Sequence, residues 1–156
     1  MTGRLVAIRL GALALAFGAA TSPSSASSPA ASEPKAMQAC SNAMTVRANH
    51  AQTAALDRQI IASCKAVVAL SQAALKVETN AGNRAGFRVD IVMAHGFVMN
   101  AYVELKDAKN TKQEAQALLS SAKSVSAGDI AIVARQAPNT QAIFNQFVSQ
   151  AKRLAG

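Results

Sequence analysis

Cys40 and Cys64 are the only cysteines in the chain. They flank a polar break, Asn49-His50-Ala51-Gln52-Thr53, at nearly equal distances: Cys40 lies nine residues before Asn49 and Cys64 eleven after Thr53. Upstream, Met37, Cys40 and Met44 recur at spacings of three and four. Downstream, Leu56, Ile60, Cys64, Val67 and Ser71 do the same, with Ile61, Val68 and Leu75 beside them. That period belongs to an apolar helix stripe. Two antiparallel helices joined at the break bring the cysteines to similar heights, with a mismatch of about 3 Å at a rise of about 1.5 Å per residue. The sequence thus predicts one disulfide clasping a helical hairpin. Closing such a loop contributes about 3 kcal/mol in the chain-entropy picture. A catalytic or metal-binding thiol pair would favour Cys-x-x-Cys spacing, which is absent.

A disulfide needs an oxidising compartment, and the N-terminus supplies the matching expectation. Arg4 and Arg9 precede a short apolar run, LGALALAFGAA, from Leu10 to Ala20. This pattern reads as a Sec-type signal peptide over residues 1–20, with cleavage as late as 26. The run is shorter than the roughly 20 residues of a membrane span. No lipoprotein cysteine follows it, and the arginines are not paired. Residues 21–34, TSPSSASSPAASEP, are rich in Ser, Ala and Pro and read as a disordered linker. One helical domain is expected over 35–156, in the periplasm or secreted, with no transmembrane helix in the mature chain. The formal charge of +8 becomes +6 once Arg4 and Arg9 leave. A cationic chain of this kind suits anionic surroundings.

The remaining pattern is helical throughout, with no run of alternating β-branched residues. Apolar residues make up 51% of the chain but aromatics only 4%, so alanine-rich helices must pack on Leu, Ile, Val, Met and a few Phe. The first helix is expected from Lys35 to Ala48, and the second from Ala54 to Thr79 with Thr53 as N-cap. Asn80-Ala81-Gly82-Asn83 reads as a stop, with Gly82 in a left-handed cap. A third helix from Arg84 to Lys109 carries two apolar arcs. One runs from Phe87 through Ile91, Ala94, Val98, Ala101 and Tyr102 to Leu105. The other joins Val92, Met99 and Val103. A helix apolar on two sides is central to its fold, and Gly96 inside it leaves room for a close neighbour. Thr111 and Glu114 have the spacing of a capping box, opening a fourth helix to Val125. A short helix over Asp129–Gln136 and a last one to Leu154 follow, the latter apolar at Ile143, Phe144, Phe147, Ala151 and Leu154. The fold class is therefore all-α, an antiparallel bundle of about five helices whose first two share a disulfide. No 34-residue repeat recurs.

Chemistry-bearing motifs are sparse. His95 and Met99, four apart on one helix, form a candidate soft-metal pair of the kind that takes Cu(I). A carrier of metal or of a small ligand on those two residues is the alternative function. Covalent haem attachment lacks its Cys-x-x-Cys-His, and His/Met haem ligation lacks a histidine on the last helix. No Gly-rich phosphate loop, Gly-x-Ser-x-Gly, His-Glu-x-x-His or zinc-type cluster occurs. The one catalytic constellation to weigh is Asp90 and His95 with a distant serine. No enzyme activity and no cofactor are expected. Two basic groups, Arg84 with Arg88 and Lys106 with Lys109 and Lys112, are the candidate anion-binding surface. Nucleic acid is a poor fit, because the single tyrosine, Tyr102, falls on a buried arc and stacking aromatics are lacking. The sequence therefore points to an exported, non-enzymatic helical protein that binds a protein or an anionic envelope component.

Overall fold

A computed structural model describes residues 29–156, and the leader and the first part of the linker lie outside them. Among the described residues six α-helices follow one another: α1 (Pro29–Asn49), α2 (Ala54–Val77), α3 (Ala81–Glu104), α4 (Ala108–Ala122), α5 (Ala127–Ala134) and α6 (Thr140–Ala155). The same residues contain no strand. The helix count is six rather than about five; the short helix expected over Asp129–Gln136 is present as Ala127–Ala134, with its own capping box. In it Ser126 Oγ accepts from Asp129 N, and the Asp129 carboxylate accepts from Ser126 N.

The disulfide forms between α1 and α2 as the stripes require, with Cα atoms 4.9 Å apart. Both cysteines lie in a buried cluster with Ala43, Ile60, Val67, Ile91 and Val98. Thr53 caps α2, its Oγ1 accepting from Leu56 N at 3.2 Å. By length and composition α2 is apolar enough to cross a membrane; its buried stripe packs between α1 and α3. A second cluster gathers Val89, Val92, Met99, Leu118, Phe144 and Phe147 from α3, α4 and α6. Helix α3 thus walls both cores, one with each of its apolar arcs. Val103 is the exception, 39% exposed. Gly96 lies under Phe147, where a Cβ would run into the aromatic ring. Phe97 meets the same ring edge-on at 5.2 Å.

Four boundaries differ from those expected, each for a local reason. Helix α1 begins at Pro29, so residues 29–34 belong to it and not to a linker. Proline suits a helix's first position, and the next turn is held inward by Glu33, which is buried and accepts from Ser71 Oγ at 3.5 Å. Asn80-Ala81-Gly82-Asn83 opens α3 instead of closing α2. Asn80 Oδ1 accepts from Asn83 N at 3.0 Å, and among the described residues no glycine has positive φ. Helix α3 stops at Glu104, not at Lys109. Lys106 turns the chain with φ of 58°, which lets Asp107 cap α4 by accepting from Asn110 N at 3.1 Å. Thr111 and Glu114 are consequently buried inside α4 rather than forming its capping box.

Candidate functional site

The clearest polar feature is how the charges divide between inside and outside. None of the eight Asp and Glu residues is exposed, whereas every Lys and Arg of residues 29–156 is exposed except Arg47, Arg84 and Arg88. The carboxylates are spent on internal tasks. Asp107 and Asp129 serve helix starts, and Glu78 accepts from Asn80 N and Asn83 Nδ2. Arg47 bridges Glu104 at 3.3 Å and lies 3.8 Å from Asp57. These pairs bring the end of α1, the start of α2 and the end of α3 to one end of the molecule.

Arg84 and Arg88, expected as surface binders, are both committed internally. Arg84 Nη1 donates to the carbonyls of Leu75 and Glu78, at 2.8 and 2.9 Å, and so closes the C-terminus of α2. Arg88 makes a two-pronged pair with Asp129, Nη2 to Oδ1 at 2.6 Å and Nε to Oδ2 at 3.1 Å. That guanidinium holds the Asp129 carboxyl down to about 2. Lys106, Lys109 and Lys112 do face solvent. Lys112 Nζ donates to the Gly156 carbonyl oxygen at 2.9 Å, which sets the start of α4 against the end of α6. Lys152 and Arg153 are exposed in the last turn of α6, the helix end that Lys112 contacts. Across the Leu105–Asp107 turn, an open depression of about 430 Å³ is lined by Arg58, Ile61, Ala62, Tyr102, Leu105 and Asp107.

His95, four residues before Met99 on α3, meets a charged cluster. Its Nδ1 lies 2.8 Å from Glu114 Oε2, and Lys65 Nζ lies 3.1 Å from Oε1 of the same carboxylate. Lys65 Nζ also donates to Tyr102 Oη at 3.2 Å and sits 5.2 Å from the centre of its ring. Burial pushes the Glu114 carboxyl up, but the hydrogen bonds from His95 and Lys65 outweigh it and hold it below the usual range. The cluster ties α2, α3 and α4 together. Met99 is fully buried in the second core, while Met37 and Met44 pack against the first. His95 thus has one ring nitrogen engaged with Glu114, while Met37 and Met44 belong to α1. Among the described residues no three His, Cys, Asp or Glu side chains gather as a metal site.

Asp90 is also separated from His95 in role. Desolvation, and secondarily the Glu33 carboxyl, push Asp90 up to about 8. Burial likewise raises Glu33, against the hydrogen bond from Ser71. Unfolded, Asp90 ionises near its ordinary 3.8. Between these two pH values the fold retains a proton that the unfolded chain releases, so stability falls as pH rises through the window and levels off above it. Asp90→Asn removes this group's share, leaving only that of Glu33. Urea unfolding from pH 5 to 8 is expected to show a shallower decline in the variant, with about 1–2 kcal/mol gained at the alkaline end. Parallel curves for both proteins would contradict it.

Comparison with protein-family models, with curated proteins and with solved structures returns no match for this chain.

Proposed function

We propose that this is an exported, non-enzymatic helical protein that binds an anionic partner, an envelope component or an acidic protein surface, through its outward-facing cations. The observation that carries this reading is the separation of charge. The carboxylates are turned inward or half-buried, while every lysine and three of the six arginines of residues 29–156 are exposed, so the outer surface is dominated by cations. An even mixture of both signs would screen itself at short range; a surface of one sign attracts polyanions over about a Debye length, roughly 8 Å at physiological ionic strength. The leader-like N-terminus and the disulfide support an oxidising, extracytoplasmic setting.

The test is retention of the mature protein on heparin, used as a generic polyanion. It is expected to bind at low salt and to elute as salt rises, because the attraction is screened. Elution with the void volume at low ionic strength would end this reading.

A further inference from the structure

We infer that the end of the molecule built from the Leu105–Asp107 turn, the start of α4 and the last turn of α6 is a docking surface for an anionic lipid bilayer. This rests on the polyanion-binding reading above and names both the surface and its occupant. Five exposed cations converge there: Lys106 on the turn, Lys109 and Lys112 on one face of α4, and Lys152 and Arg153 on α6. The hydrogen bond from Lys112 to Gly156 makes the two helix ends neighbours. Asp107 is the one carboxylate on the turn, its oxygens accepting from Asn110 N and Asn110 Nδ2, and Glu104 pairs with Arg47, so the five cations outnumber the anions beside them. The inward side of α4 is occupied by Thr111, Glu114, Ala115 and Leu118, so Lys109 points to solvent and Lys112 lies outward along the end of α6.

The shape of the array selects the occupant. These cations come from three separate elements, and the depression beside them opens on the far side of the turn, towards Arg58 and Ile61. None of the five lines that depression. Several side chains at the end of a bundle, each reaching outward, match a plane of phosphates. Val103, one turn before Lys106 and 39% exposed, adds an apolar side chain of the sort that enters the headgroup region. Each cation at an anionic bilayer strengthens association about fivefold.

Co-sedimentation of the mature protein with vesicles tests this. Phosphatidylcholine vesicles containing phosphatidylglycerol are expected to carry the protein down at low salt, and phosphatidylcholine alone to leave it in solution. Lys152→Gln with Arg153→Gln is expected to weaken vesicle binding about 25-fold, and Lys109→Glu with Lys112→Glu, which also adds two negative charges, to weaken it by more. Lys35→Glu with Lys123→Glu, a reversal of the same size away from this surface, is expected to cost far less. Circular dichroism confirms that each variant is folded. Equal losses for the two reversals would overturn the location. Retention on heparin or polyglutamate without vesicle binding would overturn the lipid and leave the broader anionic reading standing. Failure on every polyanion would remove both.

Discussion

Reduction of the Cys40–Cys64 bridge, or its replacement by two alanines, is expected to cost about 3 kcal/mol, with a range of roughly 2–5 for small exported domains. The bridge spans a sequence separation of 24 residues, and its loss frees the unfolded chain to explore conformations that the closed loop forbids. The damage should fall on one helix. Helix α1 packs chiefly on α2, and its other ties are few: Glu33 with Ser71, and Arg47 with Asp57 and Glu104. From residue 32 onward only Glu33, Cys40 and Ala43 of α1 are buried, so the covalent link is a major part of what seats it. Urea unfolding with and without reductant should show the midpoint falling accordingly. Hydrogen exchange should show α1 amides losing protection well before those of α3. A change below about 1 kcal/mol, inside the low end of the measured range for disulfides, would mean that α1 is held by packing alone.

Substitution at Gly96 is the second large effect. In an open helix interior, Gly→Ala gains about 1 kcal/mol from propensity. Here the new Cβ would lie 2.7 Å from Phe147 Cε2, and the ring is braced by Phe97. The ring can yield only by pushing α6 away from α3 or by leaving its rotamer. Gly96→Ala is therefore expected to destabilise despite its better propensity, by about 1–3 kcal/mol, and Gly96→Leu by more. The contact is isolated by a cycle with Phe147→Leu. Gly96→Ala should be far less harmful when Phe147 is already replaced, and the coupling energy should exceed about 0.5 kcal/mol. Additive losses would show that the glycine serves something other than this approach.

Much of this architecture is legible in the order of residues alone. The cysteine pair is readable because helix rise turns two sequence distances into two heights, and the apolar stripes then fix which way the sulfurs face. The central place of α3 is readable from its two arcs, and Gly96 from its position inside them. Helix ends are less so. Thr111 and Glu114 have capping-box spacing, but Asp107 wins the start of α4 because Lys106 takes a left-handed conformation. Asn80-Ala81-Gly82-Asn83 reads as a stop, yet Asn80 caps α3, with its N–H held by the Glu78 carboxylate. Ion pairs are the least legible. Arg88 finds Asp129 and His95 finds Glu114 through packing between helices, and no local pattern announces either. Glu33 and Asp90 look like ordinary carboxylates until burial brings them under each other's influence. For the same reason the lysines after α3 are visible as a cluster in sequence, while Lys152 and Arg153 join them only through the meeting of α4 and α6.

Helix α3, walled in on both sides, also governs how freely the chain can drift over generations. A peripheral helix such as α1 or α6 answers to a single core and keeps a broad wet face on which most residue types are acceptable. Along α3 nearly every position answers to one core or the other. Its glycine is pinned by an aromatic ring, its histidine and arginine by carboxylates on later helices. Descendants and cousins of this protein should therefore vary most at their flanks and keep the stretch from Ala85 to Ala101 nearly as it stands.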